Sequence, residues 1–168
     1  MRDYLERHRN LFWFSVIAIL TLMAGLSWGI DTGELVEPTL TARLDLPERT
    51  PAVVDFAASW CQPCHTALPR LQKIAENHPK LAFRVVCIDE SKAACERLFQ
   101  SLDIQLPWVF DGDHSIVERF APKGFPATYV LDEQSQIVHY HTGSGRRDWN
   151  DLAQVLEGLS PAAALPAP

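Results

Sequence analysis

Apolar positions along the chain fall into one long uncharged run, followed by short blocks whose spacing switches between strand-like and helix-like. Leu11 to Ile30 holds no Asp, Glu, Lys or Arg over twenty residues. At the helical rise such a run spans about 30 Å, the thickness of a bilayer's hydrocarbon core. Ala52 to Ala57 is apolar except for Asp55 and predicts a buried strand. From Gln62 to Asn77 the apolar residues Ala67, Leu68, Leu71, Ile74 and Ala75 recur at three- and four-residue steps, which predicts a helix. Leu81 to Ile88 reads as a second buried strand, and Ser91 as the cap of a helix carrying Ala94, Leu98 and Leu102. A short extended segment is expected at Trp108 to Phe110 and a short helix at His114 to Phe120. Ala127 to Leu131 and Ile137 to His141 predict two strands around the polar turn Asp132 to Ser135. A closing helix over Asp148 to Leu159 gathers Trp149, Leu152, Val155, Leu156 and Leu159 on one face.

This order, strand and helix twice, then a strand pair and a helix, predicts an α/β fold. A mixed central sheet would carry helices on both faces, with right-handed crossovers between the parallel strands. The chain divides into a short N-terminus (1–10), a transmembrane anchor (11–30), a tether with a first edge strand (31–50), one globular domain (51–159) and a disordered tail (160–168). The edge strand is expected at Leu40 to Leu44, between Pro38 and Pro47. The tail holds only Ser, Pro, Ala and Leu.

Charge orients the anchor. Arg2, Arg7 and Arg9 precede the run, and Asp31, Glu34 and Glu37 follow it. This bias keeps the N-terminus in the cytoplasm and puts the domain outside the membrane. Trp13 and Trp28 stand near the two ends of the run, where indole rings favour the interface. A cleaved signal peptide is the alternative, with Ser27-Trp28-Gly29 as a weak cleavage site, but the run exceeds the usual apolar core of about 7–15 residues. The net charge of −6, with no basic stripe, excludes nucleic acid as an expected partner.

The chemistry lies in Trp60-Cys61-Gln62-Pro63-Cys64, which follows a predicted strand and opens a predicted helix. The helix dipole and its free N–H groups favour negative charge there, so a thiol loses its proton more readily. The spacing brings Cys64 within reach of the Cys61 sulfur. Pro63 costs the first turn no hydrogen bond. A zinc site would need a second ligand pair at suitable spacing, and none is present, so no metal is expected. Cys61 to His65 also fits the CxxCH haem-attachment pattern. The only methionines are Met1 and Met23, both outside the domain, which leaves His114, His139 or His141 as a second axial ligand. The buried strand directly before Trp60 favours the redox helix, and no cofactor is expected. Cys87 and Cys95 are compatible with a structural disulfide, with two buried free thiols, or with a second redox relay.

Val54 to Cys64, with Pro69 five residues beyond, resembles the active-site stretch of thioredoxins. Leu106-Pro107, Asp111 and the run Gly124-Phe125-Pro126-Ala127-Thr128-Tyr129-Val130-Leu131-Asp132 resemble the membrane-anchored TlpA, ResA and DsbE branch. The resemblance covers about Ala52 to Leu159 and implies a thioredoxin fold. It implies a thiol:disulfide oxidoreductase with Cys61 as nucleophile and Cys64 as resolving thiol. It further implies Pro126 as a cis-proline beside the pair, offering backbone groups to substrate, with Phe125 departing from the small or β-branched residue often found there. Asp55 matches the family's buried acid, whose raised pKa would let it exchange a proton with Cys64. Trp60 either shields the site and meets substrate or packs in the core. Members commonly act as reductants of apocytochromes or other exported proteins, recharged by a membrane electron donor such as a DsbD/CcdA-type transporter. Thiol oxidation or isomerisation, or client binding without catalysis, are the alternative functions.

Overall fold

The computed structural model describes residues 31–159. The expected anchor at 11–30 and the tail at 160–168 lie outside the described residues. Among the described residues, no helix is long and apolar enough to cross a membrane.

Five strands form one mixed sheet: β1 (Ala52–Ala57), β2 (Ala82–Cys87), β3 (Trp108–Phe110), β4 (Ala127–Leu131) and β5 (Ile137–Thr142). Their spatial order is β3-β2-β1-β4-β5. β1, β2 and β3 run parallel, and β4 runs antiparallel to both β1 and β5. β1 is central and buried at every position, as a strand covered on both faces must be. Among the described residues five helices complete the fold: α1 (Pro38–Arg43), α2 (Cys64–Asn77), α3 (Lys92–Ser101), α4 (Ser115–Phe120) and α5 (Arg146–Leu159).

The expected edge strand at Leu40 to Leu44 is instead the helix α1 and its C-cap. The physical reason lies in the spacing. Pro38 is pre-set for the first helical turn, and Leu40 and Leu44 stand four apart, so a helix buries both on one face. Extended pairing occurs earlier, at a single bridge between Leu35 and Gln136. Gly33 N–H donates to the Ile137 carbonyl at 2.7 Å and Val36 N–H to that of Ser135 at 2.9 Å. The expected tether is therefore packed against the domain from Val36 onward.

The remaining elements fall close to expectation. Ser91 caps α3, its hydroxyl accepting from Ala94 N–H at 3.3 Å. Ser91→Ala is expected to lower stability by about 1 kcal/mol, read as a shift in urea midpoint without a change of slope. Asp111, fully buried, takes the N-terminal N–H groups of α4, accepting from Ile116 at 3.1 Å and Val117 at 2.8 Å. Phe120 stacks edge-on to Tyr129 at 4.8 Å, and the Tyr129 hydroxyl donates to the Phe120 carbonyl at 3.1 Å, so this buried polar group is satisfied.

Candidate active site

β1 delivers the chain to the site. After Ala57 the backbone leaves the sheet through Ala58, Ser59 and Trp60, then turns at Cys61–Pro63 into α2. Cys61 N–H donates to the Ala58 carbonyl at 3.1 Å, and Cys64 N–H to the Cys61 carbonyl at 2.9 Å. These bonds wind the turn tightly enough to hold the two cysteine Cα atoms 5.3 Å apart, joined by a disulfide. Pro63 sits at the N-cap with helical φ of −65°, where its missing N–H leaves no helical bond unmade. Pro69 lies within α2, where it removes one helical bond from the turn above the site.

Burial separates the two sulfurs. Cys64 is 0 % exposed and Cys61 4 %, so an incoming thiolate meets Cys61 first. The helix N-terminus then favours the thiolate that attack at this bond would create. With Cys64 sealed beneath the turn, the pair does not present both sulfurs to a group of haem size. His65 is held in place: its Nε2 donates to the Ser59 carbonyl at 2.8 Å and ties the first turn of α2 back to the loop.

Trp60 is 60 % exposed, so it belongs to the surface and not to the core. Its ring meets Phe125 edge-to-face at 5.7 Å, and the peptide bond from Phe125 to Pro126 is cis. Pro126 is buried, and its carbonyl already accepts from Gly143 N–H at 2.8 Å. Among the described residues the main-chain N–H and C=O of Phe125 make no hydrogen bond. Phe125, whose ring meets the exposed Trp60, thus keeps main-chain groups without a hydrogen bond directly before the cis-proline.

Asp55 is 1 % exposed in the central strand, between Val85 of β2 and Thr128 of β4. Thr128 Oγ1 donates to Asp55 Oδ1 at 2.7 Å, while Oδ2 is buried with no partner. Burial raises its pKa to about 7, with the Thr128 bond pulling in the other direction. The acid is thus balanced between its two protonation states near neutral pH.

Cys87 and Cys95 are joined by a second disulfide, both fully buried, with Cα atoms 6.1 Å apart. The spacing had left this open. Sequence reasoning missed Asp89, Ser59 and Thr128. Asp89 is buried and accepts from both the N–H and the hydroxyl of Ser59. The signal available was an acid directly after a buried strand, in Cys87-Ile88-Asp89.

Two sulfurs that close on each other at the head of a helix, on the loop that continues a buried strand, are built to trade electron pairs with other sulfurs. On this sheet, that makes the chain a thiol:disulfide oxidoreductase of thioredoxin-like fold. It belongs to the Redoxin family, whose model matches residues 35–156. It is similar to the thiol-disulfide oxidoreductase ResA of Geobacillus thermodenitrificans, 22% identical over 94% of this chain and 100% of the relative. It is likewise similar to ResA of Bacillus subtilis, 24% identical over 76% of this chain and 74% of the relative. A secreted Mycobacterium tuberculosis disulfide oxidoreductase homologous to Escherichia coli DsbE shares the fold, with TM-score 0.58 and 21% identity over 70% of this chain and 86% of that one.

Proposed function

We propose that this oxidoreductase works outside the cytoplasm as a reductant of disulfides in exported proteins, held at the inner membrane by residues 11–30. The charge asymmetry around that run supports the topology, with the N-terminus (1–10) cytoplasmic. The observation that carries the site assignment is the Cys61–Cys64 disulfide at the head of α2, with Cys61 the less buried of the two, next to the exposed Trp60 that meets Phe125. Cys61 attacks the substrate disulfide, and a mixed disulfide forms as one substrate thiolate leaves. Cys64 then attacks Cys61, releasing the second substrate thiolate and closing the pair. Asp55 accepts the proton of Cys64 as it becomes the attacking thiolate, and returns it on the next reduction. Trp60, Phe125 and Pro126 form the surface against which the substrate strand lies.

The oxidised pair is recharged by a membrane dithiol donor of the DsbD/CcdA type, and the clients include apocytochromes awaiting haem. Thiol trapping in intact cells tests the direction. A reductant is expected to hold most of Cys61–Cys64 as dithiol at steady state, whereas an oxidase would hold it bridged. Cys64→Ala leaves the mixed disulfide without its resolving thiol. Covalent adducts on Cys61 are expected to accumulate and to disappear with dithiothreitol, and their identification by mass spectrometry names the clients. Adducts confined to cytoplasmic proteins would overturn the proposed location.

A further inference from the structure

Asp89 is a buried acid that the chemistry above leaves without a task. It stands two residues past the end of β2 and is 2 % exposed. Its Oδ2 accepts from Ser59 N–H at 2.9 Å, and its Oδ1 from Ser59 Oγ at 2.7 Å. Both oxygens therefore close on one residue, two places before Cys61. Oδ2 also lies 3.3 Å from Cys87 Sγ and 3.9 Å from Cys95 Sγ. Among the described residues no lysine or arginine forms an ion pair with it.

A disulfide has no hydrogen to donate. The bridged form thus leaves a buried carboxylate facing two sulfurs that cannot bond to it. The dithiol can: a Cys87 S–H at that separation donates to Oδ2, and hydrogen bonds to charged acceptors are the stronger kind. We propose that Cys87–Cys95 is a second redox-active pair, coupled through Asp89 and Ser59 to the active-site loop, so that its reduction makes Cys61–Cys64 easier to reduce. The inference rests on thiol–disulfide exchange at Cys61–Cys64.

The reductant is a dithiol. One of its thiolates attacks a sulfur of the buried bridge, and its second thiol closes its own disulfide. Two electrons and two protons pass to Cys87 and Cys95, which become thiols. Both sulfurs are fully buried, but Glu90 and Ser91 in the connection from β2 to α3, and Lys92 and Ala93 in the first turn of α3, are exposed. Local opening of that short connection gives a small dithiol its path.

The sign of the coupling follows from charge. The Asp89 carboxylate, fastened to the active-site loop, opposes a thiolate at Cys61. A Cys87 S–H donating to Oδ2 disperses part of that charge and competes with Ser59 N–H for the same oxygen. The Cys61 thiolate gains, and with it the reduced form of the catalytic pair. Linkage makes the effect mutual: each pair shifts the reduction equilibrium of the other by the same factor.

The test uses the full chain in detergent micelles, equilibrated across a series of dithiothreitol redox buffers. Differential alkylation with mass spectrometry counts the four states, with neither, either or both pairs reduced. The coupling factor is the product of the doubly reduced and doubly oxidised populations divided by the product of the two mixed ones. A factor of about five is expected for the wild-type chain, at the low end of measured site–site couplings. Asp89→Asn retains an oxygen for Ser59 but removes the charge, and is expected to bring the factor close to one. A purely structural bridge would open only on unfolding, or would give a wild-type factor of one or below, and either result overturns the inference. Insulin reduction is measured on the same samples. Its absence would sink the oxidoreductase reading itself, whereas insulin reduction with uncoupled pairs sinks only the coupling.

Discussion

Cys61→Ser is expected to abolish insulin reduction, with turnover falling by about 10³-fold or more, while the folded domain survives. The size of the effect follows from the burial difference across the pair. Cys64 is sealed at 0 % exposure, and Cys61, at 4 %, carries what little exposure the pair has. A substrate disulfide therefore has one point of entry, and no neighbour can substitute for it. Serine's hydroxyl is a far weaker nucleophile at neutral pH because it is almost wholly protonated there. A loss of 10³-fold corresponds to about 4 kcal/mol of transition-state stabilisation, more than positioning by the Trp60 and Phe125 surface can restore. The measurement is the rate of insulin B-chain precipitation under dithiothreitol, with circular dichroism checking the fold. Residual turnover within tenfold of wild type would mean that Cys64 is reached directly, and the assignment of entry to Cys61 would fail.

The same asymmetry explains which parts of the site could be read from residue order. The motif Trp60 to Cys64 declared itself because spacing and helix position are local properties. The strands β1, β2 and β4 did so because apolar runs bounded by turns have few other solutions. Leu40 to Leu44 misled because two leucines four apart, with an alanine between them, satisfy an alternating pattern as well as a helical one. Only packing chooses between the two, and Pro38 tips it toward the helix. Asp89 stayed hidden for a different reason. Its partner Ser59 lies thirty residues away, and only the parallel register that sets Ala57 beside Cys87 brings the two loops together. Thr128 is similar: its contact with Asp55 exists because β4 inserts antiparallel against β1. What was legible was the local chemistry. The supporting groups were not, because sheet register supplies them.

Asp55→Asn is expected to separate stability from activity, and the separation depends on pH. In the folded chain the pKa of Asp55 rises from the ordinary 3.8 to about 7, because burial disfavours the carboxylate. Between those two values the folded state holds a proton that the unfolded chain has released. Stability therefore falls as pH rises through this window and levels off above the folded pKa. From pH 5 to 8.5 the loss attributable to this one group is on the order of 3 kcal/mol. Asparagine keeps an acceptor for Thr128 Oγ1 and carries no charge, so it imitates the protonated acid at every pH. The variant should match the wild type only below the unfolded pKa of 3.8, and its advantage in urea midpoint should grow as pH rises from 5 to 8.5. Turnover should move the other way, dropping by about 10²-fold at pH 7, the scale of a lost general base, and losing the inflection near neutrality. Thr128 Oγ1 already donates to Oδ1, which leaves the unpartnered Oδ2 free to carry the proton of the acid form. Equal stability of the two proteins at pH 8.5 would show that Asp55 is hydrated in solution, and its place in the proton path would fall with it.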